Sequence, residues 1–319
     1  MKFFQRENLE VYLNEQWQTK GWSIADRKRV GVEIQELVDH SSSRNQNVRA
    51  PFLDLWLLAF DEMLSWNLSL ITVFYSGSTP GNLNNFDRAV TILLMKIFGD
   101  GLAIRNLILS GFDGAACTTL RSTAEYMEVL LAIIHDPTLS DAFIESQTPD
   151  AAKLFWEKNL RSGKLRVRVK AAWRSFFTNK SDIEAALWFA DWGYRSFEKL
   201  SAMSHPSFGG GLLTIIPLKS QHTEENWLGC WGDKSDASVE TISIFAAFLF
   251  PILLLDPEFP FKECEKSSGS EKIYDTSNEF HFHVKHGRDV ITSMILSLHN
   301  PDNREMVFPE ADLSIFKDN

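Results

Sequence analysis

Long apolar segments, each bounded by capping residues or by Gly and Pro, organise this chain and predict a succession of helices. Ser23-Ile24-Ala25-Asp26 reads as a capping box, with a mixed charged helix running to about His40. Pro51 suits the first helical position of an apolar segment, 52–75, and the run 76–82, rich in Ser, Gly and Pro, is a loop. Residues 84–110 are apolar nearly all round, which predicts a central helix, bent at Gly99 or Gly101. Gly111 ends it and 112–134 forms a second long helix, so the pair reads as an antiparallel hairpin. Thr148-Pro149-Asp150 starts a shorter helix, and Ser181-Asp182-Ile183-Glu184 caps another that runs to Met203. Gly209-Gly210-Gly211, the apolar run 212–216 and Trp227-Leu228-Gly229-Cys230-Trp231 suggest a small β-hairpin. Helices resume over 237–255 and 271–298, and 300–319 reads as a surface tail. The expectation is an all-α helical bundle around the 84–135 hairpin with a small β-hairpin insertion. One domain, 1–319, comprises N-terminal helices (1–83), a core (84–255), a C-terminal helix (256–299) and the tail (300–319).

Charge narrows the function classes. Lys plus Arg number 32 against 42 Asp plus Glu, a formal charge of −10, which argues against a surface built wholly for nucleic acid or anionic membrane but leaves room for a local basic patch. Three cysteines, Cys117, Cys230 and Cys264, are too few and too scattered for a disulfide framework or a zinc cluster. The expected location is therefore a reducing cytoplasm, with no cofactor and no metal. Met1-Lys2-Phe3-Phe4 leads straight into polar residues, without the apolar run of a signal peptide. Residues 242–255 fall short of the ~20 that cross a bilayer, and 52–75 carry Asp54, Asp61 and Glu62, so both read as buried helices and no membrane is expected.

Four groups of residues suggest chemistry, each with a plainer competitor. The triple glycine lacks the Lys-Ser/Thr of a phosphate loop and reads as a turn. Glu279, His283 and His286 share one helical stripe, which suits a metal, but a solvated face of ordinary surface pairs reads better. Lys158, Arg161, Lys164, Arg166, Arg168, Lys170 and Arg174 form a basic stretch, with a strand-like alternation over 165–170 that points the charges one way. Trp173 and Phe176 would stack on bases, making Arg161, Lys164, Arg166, Arg168 and Lys170 the candidate RNA contacts; an acidic protein partner or simple solvation explains the same residues. Finally, Arg121, Glu125 and Glu128 interrupt one face of an apolar helix, Asp191 and Arg195 repeat the i,i+4 spacing on another, and His205 stands just before Pro206. Arg121 with Glu125 makes a buried ion pair that fixes register, or part of a site.

Arg105-Asn106-Leu107-Ile108-Leu109-Ser110-Gly111-Phe112, Leu120-Arg121-Ser122-Thr123-Ala124-Glu125, Tyr194-Arg195-Ser196-Phe197-Glu198-Lys199-Leu200-Ser201 and Ser204-His205-Pro206-Ser207 resemble a family of uncharacterised bacterial helical proteins. That family is itself distantly similar to the HEPN superfamily (higher eukaryotes and prokaryotes nucleotide-binding domains), and the resemblance covers about 85–255. It implies a helical bundle, dimerisation, and a setting in toxin, RNA-cleavage or phage-defence systems. Active HEPN ribonucleases carry an arginine followed four to six residues later by a histidine; here Arg195 precedes His205 by ten. The first expectation is thus a protein that binds another protein or nucleic acid, as a homodimer or with a partner. The alternative is a metal-independent endoribonuclease, with His205 as acid or base and Arg121 or Arg195 stabilising phosphorane charge, beside Glu125.

Overall fold

Pro51 opens the first described helix, α1 (Pro51–Ser76), where its fixed φ suits the first turn and its missing N–H costs nothing. The computed structural model describes residues 18–19, 51–76, 84–161, 163–176, 194–198, 200–201, 235–253, 255 and 279–298. The chain divides into two compact units, 1–48 and 49–319; in the first, only Gln18 and Thr19 are described, both helical. Everything that follows concerns the second. The protein is all-α, with no strand among the described residues. The expected β-hairpin (212–231), the helix before His40 and the tail lie outside them.

Asn84 caps α2 (Asn85–Leu109), its side-chain oxygen accepting from the Asp87 N–H at 2.8 Å. The helix ends in a Schellman turn. Gly111 takes φ 77°, its N–H donates to the Ile108 carbonyl (3.0 Å), and the Phe112 N–H donates to the Leu107 carbonyl (2.8 Å). Only glycine enters this left-handed region cheaply, so Gly111 is where the chain turns into α3 (Asp113–His135), which packs against α2. Two short helices follow, α4 (Leu139–Glu145) and α5 (Pro149–Phe155), the latter capped by Thr148 with Pro149 in its first turn. A π-helical turn, Trp156–Leu160, leads to α6 (Lys164–Phe176).

α6 corrects the strand-like reading of 165–170. The two-residue alternation is real in the sequence, but Leu165, Val169, Ala172 and Trp173 recur at helical spacing and are buried, whereas Val167 is exposed. Period 3.6 buries the larger apolar set, and it prevails.

Residues 194–198 and 200–201 are helical, followed by α7 (Ser235–Leu253) and α8 (Glu279–Leu298). The core gathers Trp56, Phe60, Met63, Leu94, Ile97, Ile104, Leu120, Met127 and Phe245, all fully buried, with Phe60 edge-on to Phe245 at 4.8 Å. Polar ties fix the register of the helices. The Cys117 thiol meets the Thr241 hydroxyl (3.1 Å) and Ser238 donates to Asp113 (2.7 Å), both joining α3 to α7. The Trp66 indole donates to the Val284 carbonyl (3.0 Å), and Arg288 donates to the Leu253 carbonyl (3.1 Å), capping the end of α7. Leu55–Phe74 is long and apolar enough to cross a membrane by length and composition, and 67% of that window is buried inside the protein.

Candidate functional site: a charged seam on α3

α3 presents one polar stripe, Arg121, Glu125 and Glu128, along an otherwise apolar helix. Spacings of four and three residues place these side chains one above another. The Arg121 guanidinium lies 3.2 Å from the Glu125 carboxylate, donates from Nε to the Ser201 hydroxyl (3.2 Å), and sits 5.1 Å from the centre of the Phe197 ring. The sequence suggested a buried pair; instead the two side chains are 30% and 44% exposed. They form the outer end of the seam, accessible to a partner.

Two further sequence candidates fall differently. Arg195 is exposed on the same short helical run as Phe197, and His205 lies outside the described residues.

One turn along α3 from Glu125, the seam opens into a pocket of about 480 Å³, counted out to its mouth. Met127, Leu131, Val169, Trp173, Phe248 and Pro251 make its apolar lining, and Glu128, Arg166, Lys170 and Tyr194 its polar edge. Burial drives the Glu128 pKa up to about 7, helped by the neighbouring Glu125 charge and opposed by Arg166. The Arg166 guanidinium carbon sits over the Tyr194 ring, 3.4 Å from its centre. Among the described residues, neither Arg166 nor Lys170 has a carboxylate within salt-bridge distance.

The basic stretch is therefore no single charged face. Consecutive even positions on a helix diverge, so Arg166 and Lys170 face the pocket while Arg161, Lys164 and Arg168 are engaged elsewhere. Arg168 pairs with Asp136 at 2.9 Å, Arg161 lies near Glu157 (3.8 Å) and over Trp156, and Lys164 donates to the Glu157 and Lys158 carbonyls. Trp173, expected to stack on bases, is only 3% exposed and belongs to the core.

The histidine stripe likewise separates. His283 turns towards α1 and shares a hydrogen bond with Ser69 (2.8 Å), whereas His286 is exposed beside Phe282. Among the described residues no three His, Cys, Asp or Glu side chains lie close enough to hold a metal ion.

In the sequence Glu128 stands out only as the second acid on the Arg121 stripe, with no role attached to it. Tyr194 and Phe248 reach the pocket from distant segments that spacing does not connect. Fold and site together define an all-α protein with a charged, aromatic-walled seam. Comparison with protein-family models, with curated proteins and with solved structures finds no match.

Proposed function

We propose that the chain is a HEPN-like bacterial helical protein that acts by binding, with single-stranded RNA engaged along the α3 seam. The observation that carries this reading is the repetition of one device. Arg121 on Phe197 and Arg166 on Tyr194 set two guanidinium–aromatic pairs along the same groove, with Lys170 beside them. Aromatic faces accept bases in a sequence-tolerant way, and neighbouring cations take the phosphates. The footprint is thus smaller than the whole basic stretch, which fits a chain of net charge −10. The HEPN resemblance supplies a homodimer working in stress or phage defence, and the few scattered cysteines supply a reducing cytoplasm as its location.

Titration of a labelled RNA oligonucleotide at several salt concentrations tests it. Log affinity should fall linearly with log salt, by ~0.7 for each phosphate neutralised. Phe197→Ala and Tyr194→Ala should each cost ~1–3 kcal/mol of binding. Binding that ignores salt, or none in the parent protein, overturns the reading.

A further inference from the structure

We infer that the pocket between α3, α6 and α7 is a binding site for a small organic monoanion, a carboxylate with an apolar body. The inference does not depend on RNA binding, because it rests on the interior of the pocket and not on the length of the seam.

Shape and lining come first. The pocket is a partly open cleft whose about 480 Å³ includes solvent space at its mouth, so a small ligand would be clasped on one side and not enclosed. Met127, Leu131, Val169, Trp173 and Phe248 present a floor that gains by covering with hydrocarbon. Charge stands at one edge only. Arg166 and Lys170 leave the same face of α6 one turn apart, a spacing that two carboxylate oxygens can bridge. Neither cation is neutralised by a carboxylate within salt-bridge distance among the described residues.

Glu128, the one acid lining the pocket among the described residues, sets the sign of the selection. Near neutral pH about half of its population carries a proton, so the site holds more positive charge than its side chains would give in water. Among the described residues, the ionisable groups around it are Glu125 from α3, which Arg121 pairs, Arg166 and Lys170 from α6, and Tyr194. Among the described residues, α7 contributes Ala247, Phe248 and Pro251, none of them ionisable. An anion entering beside Glu128 must favour the protonated acid, so binding takes up a proton. A phosphate fits less well, since a near-dianion would have to shed more water over an apolar floor.

Isothermal titration calorimetry of the full chain with octanoate and with benzoate, at about pH 6 and about pH 8, decides the matter. The expected result is saturable one-to-one binding of at least one of them. It should be about tenfold tighter at the lower pH, the factor by which the protonated fraction of a carboxyl titrating at about 7 changes between the two. 1-Octanol and benzyl alcohol, which lack the charge, should bind at least about tenfold more weakly than their acids. Lys170→Met should weaken carboxylate binding about tenfold with unchanged circular dichroism, and Glu128→Gln should keep binding but remove most of its pH dependence. No saturable heat from either acid overturns the inference. So does equal binding of the alcohols, or an affinity that Lys170→Met leaves intact.

Discussion

Glu128 is held in the protein with a proton that an unfolded chain would already have lost. Its folded pKa of about 7 stands above the ordinary 4.5, so between those values the native state binds more protons than the unfolded one. Stability attributable to this group therefore falls as pH rises through that window, and the penalty is complete above it. Glu128→Gln removes the ionisation. The variant should be more stable than the parent by ~1–3 kcal/mol near pH 8 and indistinguishable from it near pH 4.5, measured by urea unfolding at both values. Asn67 offers a second residue-scale case. Its side chain is buried, 1% exposed, and neither its nitrogen nor its oxygen has a hydrogen-bond partner among the described residues. Asn67→Leu, close in volume, should raise stability by ~1–3 kcal/mol in the same assay, because a buried polar group without partners carries its full desolvation cost.

Within α2, two glycines two residues apart separate the uses of an absent side chain. Gly99 is exposed, and a Cβ there would meet nothing within 4 Å. Gly101 is buried, and a Cβ there would overlap the Leu64 side chain with Phe245 behind it at 3.7 Å. Gly99→Ala should therefore stabilise by ~1 kcal/mol through helix propensity, while Gly101→Ala should destabilise by ~1–3 kcal/mol through overpacking. Chemical denaturation midpoints of the two variants, moving in opposite directions, check this. Their neighbourhood also shows which parts of an element a sequence reveals. Gly111 is legible as a helix stop because a left-handed turn leaves a residue signature. α6 misleads because alternating Arg and Val satisfy a period of two locally, while the buried stripe that decides the matter extends to Ala172 and Trp173. The Arg121–Glu125 pairing is legible as an i,i+4 spacing, yet its exposure depends on the packing of the 194–201 run, which no local pattern reports.

At the scale of the molecule, the buried apolar cluster of the second unit runs from Leu53 to Ile295 among the described residues. The all-α class is legible because the chain carries long segments too apolar to be anything but interior. The pocket is not, since its walls come from residues more than a hundred positions apart that only tertiary packing brings together.

The thiol of Cys117 lies buried where α3 meets α7, against Thr241. A thiol so placed reacts only when the two helices part, so its alkylation rate in the native protein acts as a clock for that separation. Peptide mapping would distinguish it from Cys230 and Cys264. Because α3 and α7 also form two walls of the pocket, a carboxylate that bridges them should slow the clock in proportion to its occupancy. Chemical labelling would then time the breathing of the site without any assay of what the protein does.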